Sequence, residues 1–248
     1  SLAFLSPLFL TLLSVLILKE KVVATRWVLI ALSFVGVLIV VRPGFRELGL
    51  GHVFAICCAL LAACASLSGP SGWTLLVDGA KGMDNFYSVG DANWRAEDGA
   101  IVADKAKVAS YLVSKASYSD FEIDAEFWAD HTTNSGIFLR LSNTREVTAA
   151  NSYEVNIFDQ RPDPLYGTGA IVDVAKVAQP MPKAGGKWNT FRITAKGKWQ
   201  VVVFIGEKTV DVEGGKFASG PVALQFGNGA KDAPGGIIKF RKVAIRAL

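Results

Sequence analysis

Residues 121–128 read Phe-Glu-Ile-Asp-Ala-Glu-Phe-Trp, and this stretch decides the fold class of the second part of the chain. Its apolar and polar side chains alternate with period two, which is typical of a strand that buries one face. Similar short runs occupy residues 137–141, 153–158, 190–194, 199–205, 222–226 and 237–245. Turn residues separate them, including a turn that we predict at 133–136. About a dozen such strands predict an all-β domain with two packed sheets, a jelly-roll sandwich.

The chain changes character near residue 68. Residues 1–68 hold five basic and two acidic side chains among long apolar runs. The whole chain has 26 basic and 22 acidic residues, so 21 and 20 remain after residue 68 and the second part is nearly neutral. No stretch combines a cluster of Lys and Arg with interleaved aromatic residues, and we therefore predict no nucleic-acid partner.

Two apolar runs at residues 2–18 and 27–41 flank the charged turn Lys19-Glu20-Lys21. Each run is close to the roughly 20 residues that cross a bilayer core. Neither has a polar face, which argues against a buried hairpin of a soluble protein. The Leu-Lys-Glu-Lys turn and the Gly-containing second run, which ends in Arg-Pro-Gly, resemble drug/metabolite transporters of the EamA type. We predict a transmembrane helical hairpin over residues 1–50, a transporter-like fragment.

Residues 51–68 form a third hydrophobic segment with two interpretations. It is the next transporter helix, or it is a lipoprotein-type signal, because Leu61-Ala62-Ala63-Cys64 matches a processing site whose Cys64 would carry lipid. Either interpretation predicts a membrane-associated protein held through residues 1–67. The signal interpretation also predicts that the domain at 69–248 is periplasmic or otherwise extracytoplasmic. All three cysteines lie in this segment, so the β domain has no disulfide.

Ordered blocks along residues 69–248 carry a second resemblance. They include Gly72-Trp73-Thr74-Leu75-Leu76, Asn134-Ser135-Gly136-Ile137-Phe138, Tyr153-Glu154-Val155, Trp188-Asn189 and Phe240-Arg241-Lys242-Val243. Together these blocks resemble the 3-keto-disaccharide hydrolase family. The resemblance implies a concanavalin-like jelly-roll sandwich. It also implies a substrate class, oxidised oligosaccharides or glycosides that carry a ketone at C3.

A ketone at C3 acidifies the neighbouring C2–H, so a base can remove that proton and the C1 substituent can leave. Water addition then completes a net hydrolysis, and the reaction needs a base, an acid and a donor to the developing oxyanion. Strand alternation places Glu154 opposite its apolar neighbours. We predict that Glu154 and Arg140 lie together on the concave sheet as catalytic residues, unless they form only a surface ion pair. Asp159, in a following loop that would form a cleft wall, is a third catalytic candidate or a turn cap.

Five further polar side chains are candidates for substrate binding, each with an alternative structural role. They are Asn134, Lys115, Gln225, Tyr166 and His131. The chain has only two histidines, no zinc-ligand spacing and no calcium-loop motif. We therefore predict no metal site and no cofactor, although oxygen ligands could still hold a divalent cation.

Two other functions remain open. Glu122-Ile123-Asp124-Ala125-Glu126 resembles the strand motif of retaining β-glucanases, with Glu122 as nucleophile and Glu126 as acid/base. That pair must approach to about 5–5.5 Å, whereas residues four apart on a regular strand are about 13 Å apart. The motif therefore requires a strand distortion. The third possibility is a non-catalytic carbohydrate-binding module, which needs only aromatic and hydrogen-bonding groups.

Overall fold

The computed structural model describes residues 72–229 and 235–248. Residues 72–248 form one compact unit, and thirteen strands run through its described part. The strands are β1 Thr74–Asp78, β2 Phe86–Val89, β3 Arg95–Glu97, β4 Ala100–Ala103, β5 Ser110–Tyr118, β6 Phe121–Ala129, β7 Asn134–Leu139, β8 Tyr153–Phe158, β9 Lys187–Lys196, β10 Trp199–Phe204, β11 Glu207–Glu213, β12 Gly220–Phe226 and β13 Ile238–Ala247. The all-β prediction is confirmed.

The strands build two antiparallel sheets that face each other. One sheet has eight strands in the order β11-β10-β9-β6-β13-β4-β3, and β1 also pairs with β13. The other sheet has five strands in the order β2-β5-β12-β7-β8. Strand neighbours are often distant in sequence, so the register between strands depends on tertiary packing as well as on local turns.

The core fills the space between the two sheets. On β6 every second residue is buried, from Phe121 to Ala129, and the intervening residues point outward. These side chains pack in one cluster with Leu112, Ile137, Val155 and Leu224 of the five-stranded sheet. Each such large apolar side chain contributes about 1.5–3 kcal/mol when fully buried. The two sheets are therefore fixed with their alternate polar positions on the outer faces.

The turn predicted at residues 133–136 is wrong. Residues Asn134 to Gly136 belong to β7, where they pair with Phe158 to Asn156 of β8. The strand then ends early, because Arg140 adopts a positive φ of 52°. A glycine inside a strand suggested a turn in the sequence, but here Gly136 provides space for a neighbouring side chain.

The predictions for residues 1–68 lie outside the described part of the chain. The transporter-like hairpin at 1–50, the segment at 51–68 and the lipidation of Cys64 therefore stay predictions. In residues 72–229 and 235–248 the helices are two 3-10 turns, Met83–Asn85 and Pro164–Tyr166. No helix of this part has the length and apolar character to cross a bilayer.

Candidate functional site

The outer face of the five-stranded sheet, called here the five-strand face, is built from two rows of side chains. Cross-strand pairing aligns the first row, which consists of Tyr87, Val113, Ala223, Phe138 and Glu154. A second row lies beside it and contains Val89, Tyr111, Gln225, Gly136 and Asn156. Polar groups from four different strands, β2, β5, β12 and β8, therefore share one face.

Glu154 lies on β8 with its side chain on this face, while Tyr153 and Val155 belong to the core between the sheets. Only 8% of Glu154 is exposed. A Cβ at Gly136 would lie 3.2 Å from Glu154 Cγ and 3.4 Å from Oε1, so the carboxyl group extends over the glycine of β7. Among the described residues, no hydrogen bond or ion pair is made by this carboxyl group. The face assignment predicted from alternation is confirmed.

Burial raises the pKa of Glu154 to about 7. The positive charge of Arg161 opposes this effect, and the negative charge of Asp173 adds to it. A buried carboxylate without a partner favours its neutral form, which explains the direction. A group with a pKa near neutrality can both accept and return a proton efficiently at physiological pH.

Tyr111 and Gln225 supply neutral polar groups to the same face. The Gln225 Nε2 donates to the Tyr111 hydroxyl oxygen at 3.5 Å. Burial, together with the charge of Glu154, raises the pKa of Tyr111, although the hydrogen bond from Gln225 acts in the opposite direction. Tyr111 also packs edge-on against Phe138, with ring centroids 5.4 Å apart.

Two buried acceptors on this face have no partner among the described residues. They are Gln225 Oε1 and Asn156 Oδ1. The Asn156 Nδ2, in contrast, donates to the Tyr166 carbonyl oxygen at 2.7 Å. An unpaired buried acceptor costs about 1–3 kcal/mol. Neither atom is accessible to solvent, so hydroxyl donors of a polyol ligand would satisfy them only after a movement of neighbouring side chains.

Arg140 does not join Glu154, and that prediction is wrong. Its guanidinium is buried and donates to the carbonyl oxygens of Ser119, Gly197 and Phe217 at 2.8, 2.6 and 3.2 Å. It also contacts Asp120 at 3.1 Å. The positive φ of Arg140 interrupts the alternation on which the prediction depended. Arg140 therefore connects loops at one end of the sandwich.

Asp159 follows β8, as predicted, but its carboxylate is fully engaged. It accepts hydrogen bonds from the backbone N–H groups of Ala184 and Gly185 and from the Thr168 hydroxyl, all within 3.0 Å. This arrangement holds two loops together. Its catalytic role stays a prediction, and these hydrogen bonds also fit the alternative structural role of a turn cap.

The other four predicted binding residues are dispersed. Asn134 lies at the start of β7 and donates to the Asn228 carbonyl oxygen at 2.6 Å. Lys115 is exposed on β5. The exposed His131 packs on glycine backbone at 185–186, and Tyr166 is half-buried in the loop that contacts β8. By strand alternation Asn134 also faces the same side of the sheet as Glu154, but Gln225 is the predicted binding residue in the row over which the Glu154 carboxyl group extends.

The glucanase-like pair is not formed. Glu122 and Glu126 lie on the outer face of the eight-stranded sheet, called here the eight-strand face, and pair with Arg246 and Arg241. The register of β6 with β9 is continuous from residue 121 to 129, so no bulge shortens their separation of about 13 Å. This geometry excludes the Glu122/Glu126 alternative.

A separate cleft of about 570 Å³ lies beside β8, and Glu154 is not among its lining residues. Its walls include Tyr153, Asp173, Glu213, Lys216 and Phe217. The charged members of this set are exposed, in contrast to Glu154. In the described part of the chain, no group of three or more His, Cys, Asp or Glu side chains is arranged to hold a metal.

Sequence reasoning did not identify Tyr111, Arg161, Asp173 or Asn156 as site residues. Asn156 shares the alternation of Glu154 and was detectable from the strand pattern alone. Tyr111 was not, because its position beside Gln225 depends on the pairing of β5 with β12, 114 residues apart at this point.

Comparison with known protein families places the chain in one of them. Residues 72–246 match the 3-keto-alpha-glucoside-1,2-lyase-like domain, and the chain belongs to that family. A search of curated proteins finds no match.

Solved structures show the same fold. Two proteins from Parabacteroides distasonis ATCC 8503, each provisionally described as a glycosyl hydrolase, are similar to this chain. One has 25% identity, covers 71% of this chain and 99% of its own, and has a TM-score of 0.56. The other has 18% identity, coverages of 71% and 94%, and a TM-score of 0.60. A Bacillus subtilis protein of unknown function with a galectin-like fold has 9% identity, coverages of 66% and 90%, and a TM-score of 0.52.

Proposed function

We propose that this domain is a carbohydrate-active enzyme that cleaves 3-keto-glycosides, with Glu154 as the group that transfers the C2 proton. The observation that carries the proposal is a buried carboxyl group that has no hydrogen-bond or ion-pair partner in the described part of the chain and whose pKa burial raises to about 7. Membership of the lyase-like family and the similar structures described as glycosyl hydrolases support the substrate class.

The reaction proceeds in two stages. The Glu154 carboxylate removes the C2 proton, which the C3 ketone has acidified, and the C1–O bond then breaks to leave a C1–C2 double bond. Water adds across this bond, its oxygen to C1, while Glu154 returns a proton to C2. Such proton transfer contributes about 10²–10⁴-fold to a rate when the pKa is close to the working pH.

Access to Glu154 is narrow, and this favours a terminal sugar. The neighbouring part of the five-strand face is covered, since Val113, Phe138 and Ala223 are buried in one cluster with Val147, and the ring of Tyr111 belongs to the same cluster. Val147 belongs to the connection between β7 and β8. A polysaccharide lying across the whole sheet would collide with this connection. We therefore expect the enzyme to act on disaccharides, glycosides or chain ends.

A direct assay tests the proposal. The full chain is incubated with 3-keto-sucrose or 3-keto-lactose, and with the corresponding unoxidised disaccharides as the matched control. The expected result is release of the 3-keto-hexose from the oxidised substrates alone, 3-keto-glucose from 3-keto-sucrose and 3-keto-galactose from 3-keto-lactose, detected by mass spectrometry. Equal cleavage of the unoxidised sugars would contradict the requirement for a ketone.

The binding-module function has a distinct outcome in the same experiment. The unpaired acceptors of Gln225 and Asn156 would serve a module as well as an enzyme. Saturable binding of an unoxidised glycan, measured by calorimetry, with no turnover of either keto sugar would favour the module over the enzyme.

A further inference from the structure

A buried phenol lies on the five-strand face at a short distance from the proposed base. The Tyr111 hydroxyl lies 3.5 Å from Gln225 Nε2, a side chain of β12. The Glu154 carboxyl group extends over Gly136 of the adjacent strand β7. Neighbouring strands are about 4.8 Å apart, so the two groups are separated by about one to two strand spacings, roughly 5–10 Å. A separation of this size is comparable to the distance needed for one group to reach C2–H and the other to reach the C1 oxygen of the same sugar ring.

We infer that Tyr111 is a second catalytic residue, the acid that protonates the glycosidic oxygen as it leaves C1. This inference rests on the proposed function. It assigns the base and the acid to two different strands, with Glu154 at C2–H and Tyr111 at the C1 oxygen.

The protonation states fit these roles. The pKa of a phenol is ordinarily near 10, and burial raises the pKa of Tyr111 further. Tyr111 therefore stays protonated when Glu154 is ionised. Its oxygen accepts a hydrogen bond from Gln225, whereas its own proton has no acceptor among the described residues. Gln225 therefore acts as a positioning residue that directs this proton toward a ligand.

The proton balance closes over one turnover. In the elimination, Glu154 takes the C2 proton, the C–H electrons form the C1–C2 double bond, and the leaving oxygen takes the phenol proton. In the hydration, water gives its hydroxyl to C1 and its proton to the Tyr111 phenolate, while Glu154 returns a proton to C2. Both residues recover their starting states, and no oxidant or additional reactant is needed.

The test compares leaving groups in the full chain carrying Tyr111→Phe. This variant keeps the ring that packs on Phe138, so the fold is expected to survive. An alkyl 3-keto-glucoside needs protonation of its leaving oxygen, whereas a 4-nitrophenyl 3-keto-glucoside does not. We expect a loss of about 10²-fold or more with the alkyl substrate and little loss with the nitrophenyl substrate. Tyr87→Phe, at an exposed tyrosine of the same face, is the matched control and should be neutral with both.

Exchange of the C2 hydrogen in deuterium oxide separates the two claims. Tyr111→Phe should retain this exchange, because Glu154 still removes the C2 proton. An equal loss with both leaving groups, or loss of exchange in Tyr111→Phe, would overturn the role of Tyr111 while leaving the proposed function intact. Neither exchange nor turnover in the unmodified protein would overturn the proposed function, and this inference with it.

Discussion

The two outer faces of the sandwich both carry carboxylates, but these carboxylates differ in burial and in their ion-pair partners. On the eight-strand face, Glu122, Asp124 and Glu126 follow one another along β6. Each pairs with a cation of β13, respectively Arg246, Lys242 and Arg241. On the five-strand face, Glu154 is more deeply buried and has no such partner among the described residues.

The difference shows that the number of carboxylates on a face is a poor guide to chemistry. An ion pair near the surface stabilises the charged state of both partners and leaves neither free to transfer a proton. Burial without a partner makes the charged state costly, and the proton then moves at a useful pH. The paired carboxylates of β6 are therefore expected to be structural, and the isolated carboxyl group of the five-strand face to be reactive.

The largest expected effect is a difference in enzyme turnover between variants that lose a carboxylate on one face or on the other. Glu154→Gln removes the proposed base with little change in shape, and we expect turnover of 3-keto-disaccharides to fall by about 10²–10⁴-fold. Glu122→Gln, on the other face, should change it by less than about twofold, since that carboxylate is already engaged by Arg246 and the Thr194 hydroxyl. Steady-state kinetics of both variants measure the loss of turnover. Similar losses in the two variants would contradict the assignment of the reactive carboxyl group to the five-strand face.

The pH dependence of stability gives the next largest effect. Because the pKa of Glu154 is raised from its ordinary 4.5 to about 7 in the folded state, its ionisation on folding is penalised. The resulting destabilisation of the folded state is absent below about pH 4.5, grows as pH rises to about 7, and then stays constant. We therefore compare the free energies of unfolding of Glu154→Gln and of the unmodified protein. The difference in favour of Glu154→Gln should be about 3 kcal/mol larger at pH 8 than at pH 4.

Thermal or denaturant unfolding at both pH values measures this difference. The charged groups that shift the pKa of Glu154 are Arg161 and Asp173, and the charge of Glu154 in turn raises the pKa of Tyr111. The control is Glu122→Gln, whose paired, surface position predicts no comparable gain at high pH. A pH-independent difference for Glu154→Gln would show that the carboxyl group titrates normally.

A smaller effect is expected from the glycine below the carboxyl group. The methyl group of Gly136→Ala would lie 3.1 Å from the Val155 carbonyl oxygen and 3.2 Å from Glu154 Cγ. Such crowding costs about 1–3 kcal/mol. Displacement of Glu154 should also lower kcat, and denaturant unfolding with kinetics measures both. Unchanged kcat would mean that the carboxyl group does not need to lie over β7.

The smallest effect concerns the eight-strand face itself. A double-mutant cycle of Glu126→Gln and Arg241→Gln should give a coupling of less than about 1 kcal/mol, because both side chains are partly solvated. The coupling should decrease as salt is raised. A coupling of several kcal/mol that resists salt would show that this face is electrostatically similar to a buried site.

The elements that could be predicted from sequence are those set by local alternation. The strands β6 and β8 follow the apolar pattern, and the face of Glu154 follows from its neighbours. Arg140 was misplaced because its positive φ has no clear signal in a non-glycine residue. Tyr111 and Gly136 were missed because their importance depends on the register between strands, which a single sequence does not encode locally.

The position of β13 has a consequence for biosynthesis. Of the described strands it is the last along the chain, yet it lies in the middle of the eight-stranded sheet, where it pairs with β6, β4 and β1. The halves of that sheet cannot join until residues 238–247 have left the ribosome. This domain should therefore complete its fold only after these residues are made, and nascent chains that end before them should expose a divided core to chaperones and proteases.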